Sequence, residues 1–215
     1  MTAGPGRATP AHYYEPADGH GLAHDPFNAI IGPRPIGWIS SVDGQGRRNL
    51  APYSFFNAFN YHPPILGFAS IGWKDTVANI AETGVFCWSL VTRDLAEAMN
   101  QTAAPVPRGR DEYALAGLTP AAGRLVDAPL VAESPVSFEC RLTQLVRLTD
   151  TDSRELDTWL VLGQVVAGHI DRAFLVDGVY QAAAALPVLR WGGWGDYLRV
   201  EPDDVFQMVR PTAVD

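Results

Sequence analysis

The sequence predicts a mainly β protein, an antiparallel barrel interrupted by short helical excursions. Three observations carry that prediction. Strand-like segments follow one another with only short helical stretches between them, which disfavours a doubly wound α/β sheet. The segment Val136–Leu148 alternates strictly: Val136, Phe138, Cys140, Leu142, Val146 and Leu148 share one parity, with Gln144 its only polar member. Ser137, Glu139, Arg141, Thr143 and Arg147 hold the other parity, with Leu145 the exception, as expected of a wall with one dry and one wet face. Finally, Asp43-Gly44-Gln45-Gly46 stands between two β-prone runs and marks a hairpin.

In chain order, residues 1–12 are rich in Gly, Pro and Ala and are expected to form a disordered leader. From Ile30 to Val42 the chain is apolar and β-prone, interrupted by Gly32-Pro33-Arg34-Pro35. Beyond the hairpin turn, Leu50–Phe59 resumes an extended, aromatic pattern. Pro63-Pro64 breaks the chain, and Ile65–Ile71 is a short apolar strand. Asp75–Glu82 suits a helix, with Asp75 or Thr76 as its cap and Gly84 just past its end. Val85–Val91 is a continuous apolar run, expected to be a strand buried on both faces. Thr92 is expected to cap a second helix carrying Leu95 and Met99 on its inner side. Thr102–Glu112, with Pro105, Pro107 and Gly109, reads as a loop. After Val136–Leu148, Asp150–Ser153 marks a turn and Trp159–Val166 returns as the next strand.

A chain of 215 residues, 47% hydrophobic and 19% charged, can bury a proper core, and its length favours one domain or a domain with appendages. A formal net charge of −8 argues against nucleic acid or anionic lipid as the main partner, since both need a basic face. No apolar run approaches the length of a membrane span, and the N-terminus lacks the order of a signal peptide, so a cytoplasmic protein is expected. Of sixteen basic residues only one, Lys74, is lysine, and it stands beside Asp75 and Thr76. Cys87 and Cys140 lie within apolar strand patterns and are expected as buried reduced thiols. His12, His20 and His24 share a segment of Gly and Pro that would not fix a metal geometry, so local hydrogen bonding is expected of them and no metal site.

Absences narrow the chemistry. The chain has no G-x-G-x-x-G, no G-x-x-x-x-G-K-[ST], no H-E-x-x-H and no G-x-S-x-G. If it is an enzyme, a bound cofactor supplies the reactivity. Two constellations offer a seat for one. Ser70-Ile71-Gly72-Trp73-Lys74-Asp75-Thr76-Val77-Ala78-Asn79 runs from a strand end into a helix start, where backbone N–H groups, hydroxyls and an ammonium suit a monophosphate. An ordinary capped helix with a surface lysine explains the same residues. Asn49-Leu50-Ala51-Pro52-Tyr53-Ser54-Phe55-Phe56-Asn57 sets small and polar residues among aromatics around a proline, which implies an irregular edge able to line a planar ring. A kinked core strand reads equally well.

These segments join others in a recognisable order: Tyr14-Glu15-Pro16, Pro33-Arg34-Pro35-Ile36-Gly37-Trp38-Ile39-Ser40, Asp111-Glu112-Tyr113 before Ala116-Gly117-Leu118, and Gly168-His169-Ile170-Asp171. With them the chain resembles the flavin-reductase-like family from about Tyr14 to Val200. The resemblance implies an FMN-binding split β-barrel of Greek-key type over residues 13–200, a C-terminal tail over 201–215, and a homodimer. It implies that Ser70, Lys74, Thr76 and Asn79 hold the FMN phosphate while Asp75 caps the helix. Ser40, Ser41, Ala51, Pro52, Tyr53, Ser54 and Phe55 would line the isoalloxazine and ribityl groups. His169, just past the strand ending at Val166, would lie near the pocket or serve as a structural histidine. Arg34 would meet an anionic group or lace the dimer surface. The implied activity is hydride transfer from NADH or NADPH to flavin. An electron carrier without its own nicotinamide site, or an oxidase of a small molecule, stays open beside it. Trp73 is bulkier than the family pattern at the phosphate loop, Ser89 replaces a common asparagine, and Trp191 and Trp194 add bulk around Gly192-Gly193 and Gly195.

Overall fold

The hairpin turn forms where the sequence places it. The Asp43 carboxylate accepts the backbone N–H groups of Gln45 and Arg47, both at 2.9 Å, and Gly46 takes a φ of 76° that favours glycine. This computed structural model describes residues 11–211, so most of the expected leader and the end of the expected tail lie outside the described residues. Helix α1 (Phe27–Ile30) and strand β1 (Arg34–Pro35) lead into β2 (Gly37–Val42), β3 (Arg48–Tyr53), β4 (Phe56–Tyr61) and β5 (Pro64–Ile71). Helix α2 (Asp75–Thr83), β6 (Val85–Ser89), α3 (Ala96–Gln101) and α4 (Glu112–Ala116) follow. Two short strands, β7 (Pro120–Ala121) and β8 (Leu130–Val131), precede the long arms β9 (Val136–Thr149) and β10 (Glu155–Ile170). Strands β11 (Leu175–Val176), β12 (Val179–Tyr180), β13 (Val188–Arg190) and β14 (Tyr197–Arg199) complete the order.

The main sheet has seven strands in the order β3-β2-β6-β9-β10-β5-β4, each pairing antiparallel. Its two edge strands, β3 and β4, are consecutive in the chain, joined only by Ser54 and Phe55. Three residue steps reach about 11 Å, whereas a flat sheet of that width would part its edges by about 29 Å. The sheet must therefore curl until its edges meet, which makes it a barrel. The expected single strand Leu50–Phe59 is thus two strands on opposite edges, broken at the bend that crosses the seam.

Strand β2 is buried along its whole length. Its alternating side chains serve two cores: Ile39 joins Phe68, Val77, Ile80, Phe86 and Val161 inside the barrel. Trp38 joins Leu50, Met99, Tyr113 and Val131 in a second core outside it. That outer layer explains where the alternation argument fails. On β9, Ser137 and Glu139 belong to the parity expected to be wet, yet both are buried. The Gly123–Val126 segment covers Glu139, which accepts the N–H groups of Arg124, Leu125 and Val126 at 2.7–2.9 Å, while Ser137 shares a hydrogen bond with Ser89 at 2.9 Å. Val146, expected on the dry side, is exposed further along the arm.

Other expectations need adjustment. Thr92 does not cap a second helix; its carbonyl takes a turn bond from Leu95, and α3 begins at Ala96 with no side-chain cap. The end of the expected loop Thr102–Glu112 belongs to α4, capped by Asp111 through the Tyr113 N–H at 3.0 Å. Strand β10 extends well past Val166 and contains His169. Cys87 and Cys140 are free and buried, and burial pushes both thiols up. His12 bonds the His20 carbonyl at 2.8 Å, and the His20 ring accepts the Leu22 N–H at 3.0 Å. Among the described residues no helix is long and apolar enough to cross a membrane.

Candidate functional site

A cavity of about 500 Å³ opens between β3, the start of α2 and the segment Thr102–Arg108. Each wall has a local cause. Strand β3 is a sheet edge, so Pro52 costs no ladder bond there, and the outward N–H of Leu50 needs another partner. The Glu112 carboxylate supplies it at 3.1 Å. Glu112 is itself buried, and burial raises its pKa above the usual carboxylate value. The covering segment is fixed by the outer core: the Trp38 indole donates to the Thr102 hydroxyl at 3.0 Å, which donates in turn to the Met99 carbonyl at 2.7 Å.

The start of α2 is the polar end of the cavity. Lys74 occupies the cap position in an extended conformation, and among the described residues no side chain caps the helix. The expectation that Asp75 or Thr76 caps it is corrected here. Asp75 is the first helical residue and faces Arg108 at 3.6 Å, while the Thr76 hydroxyl accepts from Asn49 at 2.8 Å. Among the described residues the first-turn N–H groups of α2 therefore have no capping side chain and can meet an anion, beside two cations, Lys74 and Arg108, that line the same cavity. Tyr53 forms part of the wall. Its hydroxyl is buried without a hydrogen-bond partner among the described residues, and burial raises its pKa.

Of the residues the sequence singled out, Ala51, Pro52, Tyr53, Lys74 and Thr76 line this cavity together. Ser70 is buried just behind it, its hydroxyl donating to the Gly72 carbonyl at 2.9 Å. Asn79 donates to the Ser41 hydroxyl at 3.3 Å beneath the helix. Ser40 is buried with its hydroxyl unpartnered among the described residues. Ser54 and Phe55 form the seam crossing. Arg34 donates to the carbonyls of Asn28 and Trp191 and lies 5.9 Å from the Phe55 ring centroid, so it braces that crossing. His169 bonds the buried Glu139 at 2.6 Å. It lies ten residues along β10 from Trp159, the register partner of Ser70, so within one chain it sits far from the cavity. Sequence reading missed Arg108, Glu112 and the Thr102–Val106 wall. The Trp38–Thr102 and Leu50–Glu112 bonds and the Asp75–Arg108 pair reveal them.

The comparisons with known proteins agree with this architecture. A protein from Aquifex aeolicus is 39% identical over 126 residues, 56% of this chain and 64% of that protein. The solved structure of nitrilotriacetate monooxygenase component B from Bacillus cereus superposes with a TM-score of 0.79 at 28% identity, over 96% of this chain and all of that one. A Shewanella frigidimarina protein described as a flavin reductase with a split barrel domain gives a TM-score of 0.73 at 25% identity, over 87% of this chain and 90% of that one. The flavin reductase like domain model matches residues 32–183, a span that holds the whole seven-stranded sheet, the cavity and its covering loop. The chain belongs to the flavin reductase like family and carries its split-barrel fold.

Proposed function

We propose that the protein binds FMN in the β3–α2 cavity and acts as an NAD(P)H-dependent flavin oxidoreductase. The observation that carries the reading is the Asn49–Thr76 hydrogen bond, which ties the two sequence constellations into opposite walls of one cavity. The residues fit the group. An uncapped helix start with Lys74 and Arg108 suits a phosphate, and the Tyr53 hydroxyl, unpartnered among the described residues, leaves a polar partner beside Ala51 and Pro52. Lys74, Thr76 and the first-turn N–H groups of α2 would hold the phosphate, with Arg108 leaving Asp75 to join them. Ala51, Pro52 and Tyr53 would face the ring system, and the Thr102–Val106 segment would keep water from it.

The chemistry FMN supplies when bound is hydride transfer from NADH or NADPH to flavin. The chain's task is orientation and exclusion of water, which needs no acid or base from the protein. Burial raises the Glu112 pKa above its ordinary value, and its carboxylate is engaged by the Leu50 N–H at the β3 edge. The test has two arms. Purified protein titrated with FMN should bind it, and anaerobic addition of NADH or NADPH should then bleach the flavin absorbance. Binding without bleaching by either nucleotide would leave a flavin carrier and remove the reductase assignment. We further propose a homodimer, supported by the exposed aromatic edge of β4, where Phe59 and Tyr61 face solvent, and a cytoplasmic location.

A further inference from the structure

Away from the flavin cavity, α3 and β14 face one another across a cleft of about 840 Å³. The outer core brings them together, because Met99 of α3 and Val188 of β13 are both buried in it. Val188 and Arg190 are the register partners of Arg199 and Tyr197, so all four side chains leave the small sheet on the face that Val188 turns into that core. On the helix side, Ala96, Glu97 and Asn100 stand three and four residues apart and share one face. Arg93 lies in the turn just before them, its carbonyl accepting from the Ala96 N–H at 3.3 Å. The cleft therefore has an apolar floor, Ala96 and Val188, between two polar rims. Among the described residues no hydrogen bond or ion pair joins one rim to the other.

The rims carry a definite set of groups. Arg199 is already paired with Glu201. Arg93 and Glu97, of opposite charge and about one turn apart, have no ion-pair partner among the described residues. Tyr197 is held in place, with the Arg190 guanidinium 4.9 Å from its ring centroid. The same guanidinium donates to the carbonyls of Asp196 and Gly193 at 2.7 and 3.0 Å, which fixes the turn leading into β14. Yet 40% of Tyr197 is exposed, which leaves ring surface for a second ring to cover.

We propose that this cleft binds a free α-amino acid with an aromatic side chain. The ligand carboxylate meets the Arg93 guanidinium, its ammonium meets the Glu97 carboxylate, and the Asn100 amide serves the same end. Its ring lies against Tyr197 over the floor of Ala96 and Val188. The two charges together select a zwitterion, since a plain anion would face Glu97 and a plain cation would face Arg93. No residue lines both this cleft and the β3–α2 cavity, so the inference stands apart from the flavin reading.

The experiment titrates the full chain calorimetrically with L-phenylalanine, with hydrocinnamate, which lacks the ammonium, and with phenethylamine, which lacks the carboxylate. L-phenylalanine should bind about tenfold more tightly than either. Arg93→Ala should abolish its advantage over phenethylamine, and Glu97→Gln its advantage over hydrocinnamate. Tyr197→Ala should weaken it several-fold. Arg93 and Glu97 are exposed, so neither substitution disturbs the core. No binding of L-phenylalanine at millimolar concentration overturns the proposal. So does binding that either analogue equals, or that survives both charge substitutions. Displacement of L-phenylalanine by FMN would also overturn it, by placing the ligand in the β3–α2 cavity.

Discussion

Thr76 has two partners to satisfy at the cavity wall, and substitution separates them. Its hydroxyl accepts from Asn49, which ties α2 to β3, and it lines the proposed phosphate seat. Lys74→Ala with Thr76→Ala should weaken FMN by tenfold or more, roughly the worth of one charge-assisted hydrogen bond, and weaken riboflavin far less. Equal weakening of both in a binding titration would place the phosphate elsewhere. The double variant also orphans the buried Asn49 amide, so its stability should fall by about 1–2 kcal/mol, and affinity should be read well below its unfolding midpoint. Arg108→Ala should weaken FMN several-fold without touching that bond, an effect that shrinks as salt rises. Lys74 was legible in the sequence because it is the lone lysine before a helix start. Arg108 was not, being one of fifteen arginines in a loop whose landing place depends on the distant Trp38. Ser40 and Ser41 looked like cavity residues but lie on β2, a strand buried on both faces, and no local pattern distinguishes that from one buried face.

At the scale of elements, strand β9 holds the molecule's most consequential buried charge. Burial alone would raise the Glu139 pKa, but the N–H groups of Arg124, Leu125 and Val126 and the His169 ring outweigh it and hold the carboxyl at about 2. The folded value lies below the ordinary 4.5, so the stabilisation is fully present above pH 4.5 and is lost as pH falls from there toward 2. Glu139→Gln keeps the shape but not the charge. It should cost on the order of 3 kcal/mol in denaturant unfolding at neutral pH and flatten the acid limb between those values. An unchanged acid limb would show that other carboxylates govern it. Helix α4 offers a smaller test: Asp111→Ala removes both its cap and the Arg48 partner at 2.9 Å, and should lower stability by about 1 kcal/mol. The sequence revealed α2, β2, β3 and the long arms because each carries a turn signal or a full period. It placed α3 but not its start, and it hid α4, which at five residues barely completes a turn. It also misassigned the wet face of β9, since the chain that covers Glu139 comes from the Gly123–Val126 segment and leaves no trace in the strand's own alternation.

At the scale of the whole molecule, the proposed homodimer predicts a doubled mass in sedimentation at working concentration. Phe59→Ser with Tyr61→Ser on β4 should shift it toward the single chain. A monomeric wild-type mass would remove the proposal. The barrel itself was legible as a class, from strands in succession, but its closure was not, because a strand broken across a seam reads as one continuous extended run. The two-residue crossing at Ser54–Phe55 has a consequence for how the chain tolerates added length. Elsewhere a longer loop costs only a slow logarithmic loss of entropy, and the Asp150–Ser153 turn should accept a short Gly-Ser insertion with little effect. The same insertion between Ser54 and Phe55 relaxes the tether that holds the sheet's two edges together. It should therefore lower the melting temperature and the flavin occupancy in step, since β3 is at once a rim of the seam and a wall of the cavity.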